Sequence, residues 1–190
     1  MNTYFQRLQA VREMMKRNGW DAIVITASDP HSSEYPGSRW KQVQWITGFA
    51  GECGDIVITM DHAGLWTDTR YFIQANKVLP GTGFELHKTR VPEQVLIPEW
   101  LASHAFAGVE GEVVIAVDGM TQTISSVGDI KAAFEVEGRS EGCKTAGFRI
   151  VNAPDMLNDL WAERPSLPVS PIITLSEELT GESRQARIQW

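Results

Sequence analysis

The sequence predicts an α/β domain in which a mixed β-sheet carries helices packed on its faces. Two observations lead there. The chain opens with an amphipathic helix that runs straight into an apolar strand. Further on, short β-rich runs alternate with segments of helical period, and two of those runs are joined by a turn too short for anything but an antiparallel pair.

Residues 3 to 18 place Phe5, Leu8, Val11, Met14 and Met15 three and four apart, with Arg7, Arg12, Lys16 and Arg17 on the other side. That spacing makes one apolar face of a helix. Asn18-Gly19 stops it, because both residues tolerate a left-handed backbone. Ala22 to Thr26 then reads as a buried strand. A loop rich in Ser, Pro and Gly covers residues 28 to 38. Val43 to Phe49, Asp55 to Met60 and Ala63 to Thr67 read as three strands, the last two joined by the turn Met60-Asp61-His62. Residues 69 to 78 have helical spacing and end at Pro80-Gly81. A short strand at 84 to 87, a helix from Pro92 to Ala105 and an apolar strand from Val113 to Val117 come next. The pattern closes with a helix near 120 to 132, a strand near 134 to 136 and a short helix at 152 to 161 that turns Met156, Leu157, Leu160 and Trp161 inward. From Arg164 the chain carries three prolines at 165, 168 and 171, which remove backbone donors and favour extended structure. Residues 1–163 are therefore expected to form one domain. Residues 164–190 are expected to be a Pro-rich linker and the start of a second, its helix at Ser183 to Trp190 cut short.

Composition narrows the function. The net charge of -7, from 17 Lys plus Arg against 24 Asp plus Glu, argues against a nucleic-acid binder, which needs a basic face to displace counterions. No apolar run approaches the roughly 20 residues that cross a bilayer, and the first residues lack the pattern of a secretory signal. No membrane partner is expected, and a cytoplasmic location is. The two cysteines, Cys53 and Cys143, give no disulfide framework and read as reduced thiols packed as small apolar groups.

The search for intrinsic chemistry is negative. His31, His62, His87 and His104 show no metal-ligand spacing, with His62 and His104 read as surface residues, and no metal site is assigned. No G-x-S-x-G elbow or P-loop occurs. Gly48, Gly51 and Gly54 precede a strand, whereas a dinucleotide loop opens a helix; they read as a tight connection between strands that needs positive φ. Seven tryptophans are many for this length. Trp45 and Trp66 suit the core, while Trp40, flanked by Arg39 and Lys41, suits either a partner surface or plain exposure. No catalytic residue is assigned.

Four separated stretches carry a family likeness: HSSEY at 31 to 35, WITGFAGECGDIVIT at 45 to 59, LWTDTRYFIQA at 65 to 75, and LNDLWAERPSLPVSPIITLSEELTG at 157 to 181. Together they resemble the creatinase-type N-terminal domain of Xaa-Pro aminopeptidases, in the cytosolic three-domain aminopeptidase P branch. The resemblance implies a creatinase/prolidase-like fold and a parent metallopeptidase that removes the residue preceding proline. It also implies two divalent metals, commonly manganese, in a C-terminal catalytic domain that this chain lacks. On that reading the domain helps assemble a homodimer and walls the entrance through which peptides with proline second would pass. It would need no cofactor of its own.

The resemblance further implies substrate binding by Arg70, whose fork of donors suits a peptide carboxylate or carbonyl; an ion pair with Asp68 is the structural alternative. His31, also a candidate for substrate contact, Glu34 and Tyr35 would shape the cleft rim or brace their loop, and Trp40 and Asp68 join them as cleft or interface candidates. Thr69 departs from the family's usual glycine, which would strain the turn if that position has positive φ. Two other readings stand beside this one: a stand-alone binding or regulatory module, and the N-terminal domain of a related prolidase or creatinase.

Overall fold

Four consecutive residues with no polar side chain, Ala22–Ile25, form β1, and all four are buried. Such a strand needs neighbours on both edges and cover on both faces. In the computed structural model, which describes residues 2–106, 111–137 and 145–189, it has all of these. β2 (Asp55–Thr59) pairs with it antiparallel on one edge and β5 (Gly111–Val117) pairs parallel on the other. β3 (Ala63–Thr67) extends the sheet antiparallel to β2, and β4 (Glu85–Lys88) adds a parallel edge. β6 (Thr145–Asn152) runs parallel to β5 at the far side, giving the order β4-β3-β2-β1-β5-β6. The predicted mixed α/β architecture is thus present.

The pleat divides the core in two. Ile23, Ile25, Ile56, Ile58 and Leu65 face the layer that holds α1 (Thr3–Asn18), a short helix α2 (Gln42–Thr47) and α3 (Phe72–Val78). Val24, Val57, Trp66 and Ile115 face the other layer, built from α4 (Ile97–Trp100), the wider π-type turn that continues it over Leu101–Ala105, and α5 (Ile124–Glu137). The first helix forms as its spacing predicts, burying Leu8, Val11, Met14 and Met15; Asn2 accepts the Tyr4 N–H at 2.9 Å, and Gly19 at φ 65° ends it.

The structure corrects several local expectations. Residues 43 to 49 are not a strand but α2 and its exit. Five of the six helix residues are buried and only Gln44 is exposed, so the short run offers too little of a wet face to show a helical period. Thr47 Oγ1 donates to the Val43 carbonyl at 2.6 Å and accepts the Phe49 N–H at 3.0 Å, fixing the turn that Gly48 makes at φ 79°. The strand expected at 134 to 136 is the last turn of α5, where Ile130 and Phe134 bury one face four residues apart. No strand was expected at β6. Where a helix was expected at 152 to 161, β6 ends at Asn152 and hydrogen-bonded turns follow, because Pro154 is succeeded by Asp155 at φ 52°, outside the helical region. Met156 and Leu157 are buried there as predicted, and Leu160 and Trp161 pack on the same core. The helix expected from Pro92 begins only at Ile97, after Glu93 at φ 65°. Beyond residue 162 the chain is irregular up to α6 (Glu177–Thr180) and α7 (Arg184–Ile188), the latter capped by Ser183. Cys143 and Trp190 lie outside the described residues.

One ionic cluster fastens the loop after β1 to the chain after β6. The Asp155 carboxylate meets Arg39 at 2.9 Å and Arg164 at 2.7 Å, while its N–H donates to Asp118 Oδ2 at 3.0 Å. Arg39 also donates to the Pro165 carbonyl at 3.0 Å, and Arg164 Nε to the Arg39 carbonyl at 3.3 Å. The Arg164 side chain is only 3% exposed, so its charge depends on this carboxylate. Asp155→Asn keeps a residue tolerant of left-handed φ but removes the charge. It is expected to lower unfolding free energy by about 3 kcal/mol, measured by urea denaturation, whereas Glu13→Gln, at an exposed pair with Lys16, should leave the urea midpoint essentially unchanged.

Candidate functional site

Because β2 and β3 are antiparallel, the start of β2 and the end of β3 lie at the same end of the sheet as the end of β1. Three connections therefore converge there: residues 26 to 41 after β1, residues 48 to 54 before β2, and residues 68 to 71 after β3.

The last connection carries Arg70. Its Nε lies 3.0 and 3.2 Å from the two Asp68 carboxylate oxygens and its Nη2 lies 2.8 Å from Oδ2, while its backbone N–H donates to Oδ1 at 3.1 Å. Asp68 is 1% exposed and Arg70 is 57% exposed. The pair is a buried carboxylate that orients a guanidinium facing water. The guanidinium holds Asp68 down at about 2, and the carboxylate raises Arg70 further above its ordinary value. Nη1 makes no hydrogen bond among the described residues, so part of the fork remains for another acceptor. Thr69 has no left-handed φ, so the turn accommodates a β-branched residue where the family pattern has glycine.

Next to Arg70, the Tyr71 ring lies 5.2 Å below the guanidinium and meets Phe49 edge-on at 5.8 Å; its hydroxyl donates to Glu52 at 3.3 Å. Phe49 explains two of the three spaced glycines. A Cβ on Gly51 would sit 2.3 Å from that ring and one on Gly54 2.8 Å from it, and only Gly48 has positive φ. The expectation of a strand-to-strand connection with left-handed glycines is thereby corrected: the segment leaves a helix and makes room for an aromatic ring. Glu52, Phe49, Tyr35, Trp40, Lys41 and Gln44 line a cleft of ≈ 140 Å³. Trp40 ends a short 3-10 turn, Ser38–Trp40, half-buried over Gly37, whose Cβ would lie 3.3 Å from the indole. Tyr35 is 72% exposed at the rim.

The loop itself is braced by Asp29. Its Oδ1 accepts the N–H groups of His31 at 2.9 Å and Ser33 at 3.0 Å, which depresses its own pKa. The side chains of His31 and Glu34 are exposed and make no hydrogen bond among the described residues. The structure therefore brings Tyr35, Trp40, Asp68 and Arg70 to one end of the sheet and leaves His31 and Glu34 on the outer loop. Sequence reading passed over Glu52 and Asp29; for Asp29 the signal was present, since Asp two residues before a backbone donor is an Asx-turn pattern. Cys53 is half-buried against Asp68, and burial pushes its thiol up, so it is not an activated nucleophile.

A second grouping was invisible in the sequence. His62, expected at the surface, is half-buried and its Nε2 lies 3.0 Å from His87 Nε2, at the other end of the sheet. Burial lowers both imidazoles, His87 to about 4.

The class these observations define is a three-layer α/β domain that carries, at one end of its sheet, a cleft lined by aromatic rings and, on the neighbouring connection, an oriented guanidinium. The Creatinase/Prolidase N-terminal domain family matches residues 7–137, and the chain belongs to that family. Over 185 residues it is 31% identical to the probable Xaa-Pro aminopeptidase P of Tuber melanosporum, and over 187 residues 33% identical to Xaa-Pro aminopeptidase 2 of Mus musculus. These alignments take in 96% of the chain but 28% and 25% of the relatives. The solved X-prolyl aminopeptidase of Caenorhabditis elegans, described as a cytosolic enzyme with a di-nuclear active site, superimposes with a TM-score of 0.80 at 25% identity, covering 100% of this chain and 30% of that one. The chain thus spans between a quarter and a third of the length of the relatives it matches.

Arg70→Ala is expected to destabilise the fold near neutral pH, because it leaves a buried carboxylate short of its strongest donors. Asp68 titrates lower folded than unfolded, so the pair's contribution is present above the ordinary carboxylate pKa and fades as pH falls toward about 2. The difference between wild type and variant should accordingly shrink in acid denaturation curves taken from pH near 5 down to 2.

Proposed function

We propose that the chain is the non-catalytic N-terminal domain of a Xaa-Pro aminopeptidase, a metal-dependent hydrolase that removes the first residue of a peptide when proline follows. The observation that carries this reading is full-length superposition on less than a third of such an enzyme. Residues 1–163 are the domain and residues 164–190 the link into the next. The link fits that role: Val169, Ile172 and Ile173 stand out in water, Ile172 being 96% exposed, which is costly for a segment with nothing to pack on.

The two metals of the parent enzyme, manganese on this reading, belong to the catalytic domain. Among the described residues one group of three potential ligands comes together, His62, Glu85 and His87, too few donors for a pair of ions. What the domain contributes is shape and charge: a wall beside the active-site entrance and a surface for homodimer assembly. Arg70, held by Asp68, would meet a peptide carbonyl or carboxylate with its remaining donors, and Tyr35 and Trp40 would line the approach. His31 and Glu34 lie further out on the same loop and would meet only longer peptides. A cytoplasmic setting agrees with the worm relative's description, and among the described residues no helix is long and apolar enough to cross a membrane.

The purified 190-residue chain, supplied with manganese, should release no first residue from a Xaa-Pro peptide, while the protein carrying its catalytic domain should do so. Release by the chain alone overturns the proposal. In the complete enzyme, Arg70→Lys keeps charge but loses the fork, and kcat/KM is expected to fall about tenfold, the loss of one charged hydrogen bond. Unchanged kinetics with a lowered melting temperature would assign Arg70 to structure alone.

A further inference from the structure

We infer that His62, His87 and Glu85 form a binding site for a single divalent transition-metal ion of the zinc type, clamping the β2–β3 turn to the edge strand β4. The three side chains come from parts of the chain that share no motif. His62 closes the turn Met60-Asp61-His62, while Glu85 and His87 stand two apart on β4 and so point to the same side of the sheet. The parallel register, with Gly64 opposite Glu85 and Trp66 opposite His87, draws them together. One ligand atom from each of the three lies within 4.8 Å of the others.

The imidazole geometry is close to what an ion requires. Zinc–nitrogen bonds of about 2.0–2.1 Å at tetrahedral angles place the two nitrogens roughly 3.3 Å apart and the two ring centres about 5 Å apart. Here the Nε2 atoms are 3.0 Å apart and the ring centres 5.2 Å. The rings already sit at the right separation; a small rotation opens the nitrogens by the missing few tenths of an ångström. Without an ion, one Nε2–H donates to the other nitrogen's lone pair. With an ion, that proton resides on Nδ1 and both Nε2 lone pairs point inward.

The surroundings hold the rings in place. Trp66 stacks on His87 at 3.8 Å and 10°, and Trp100 lies 4.7 Å from the His62 ring. Trp66 is itself fixed by its Nε1–H to the Val95 carbonyl at 2.9 Å. Gly64 makes the arrangement possible, since a Cβ there would lie 2.5 Å from the Trp66 ring and 2.7 Å from His87. Two soft-to-borderline nitrogens and one carboxylate suit zinc, cobalt or nickel better than calcium or magnesium, which take oxygen ligands. With the exposed Glu85 as the third ligand, the fourth position is left to water.

The test adds one equivalent of Co(II) or Zn(II) to the 190-residue chain at neutral pH. Calorimetry should give one site, the melting temperature should rise by several degrees, and Co(II) should show the visible absorption of a tetrahedral site. Glu85→Gln, at an exposed position that leaves the fold intact, should weaken binding by about tenfold or more. His62→Ala and His87→Ala should abolish it in protein that circular dichroism shows to be folded. His104→Ala should bind as wild type does. Absence of binding in the wild type, or binding that survives all three ligand substitutions, overturns the site.

Discussion

Strand β1 is enclosed on four sides, and that enclosure organises everything around it. Its backbone groups bond to β2 on one edge and β5 on the other, and its alternate side chains enter different core layers. Ile23 and Ile25 need α1 and α2 above them, while Ala22 and Val24 need α4 and α5 below. Each of these four residues is at most a few per cent accessible, so no charged side chain could replace one without a large desolvation cost. The functional loops inherit their placement from this strand, since the chain that leaves it at Thr26 and the chain that enters β2 at Asp55 emerge side by side. The Ala27 N–H donates to the Asp55 carboxylate at 3.0 Å across that gap.

What was legible in the sequence followed from how one-sided each element is. The first helix has a dry and a wet face, so its spacing shows. The β2–β3 pair has a turn of three residues, which fixes antiparallel pairing. α2 is short and nearly enclosed, with Gln42 buried and only Gln44 exposed, so periodicity had little to report. β6 mixes Gly147 and exposed Arg149 with half-buried Phe148 and Ile150, as a sheet edge does, and this masks its alternation. Among the candidate site residues, Arg70 and Tyr35 were singled out through sequence motifs and Trp40 as an aromatic residue between two cations. The approach of His87 to His62 depends on the pairing of β3 with β4, which a linear reading does not contain.

Two of the ion pairs in this domain join groups of unequal depth. Asp68 is sealed and Arg70 is wet, whereas Arg164 is sealed and Asp155 is half open. In each pair the buried member has lost most of its water and depends on the exposed one, which gives the exposed member a fixed direction. A long side chain that would otherwise sample many rotamers is thereby presented in one. An arginine already oriented sacrifices less freedom on meeting an acceptor.

The Arg39–Pro165 contact ties the Pro-rich chain after residue 164 to the wall of the cleft. Arg39 immediately precedes Trp40, and its grip on the Pro165 carbonyl bridges 126 positions of sequence with one 3.0 Å bond. Pro168 also lies within van der Waals reach of the position beside Trp40. The position of the indole is thereby tied to the course of the chain at residues 165 to 168, which leans on the same wall from outside.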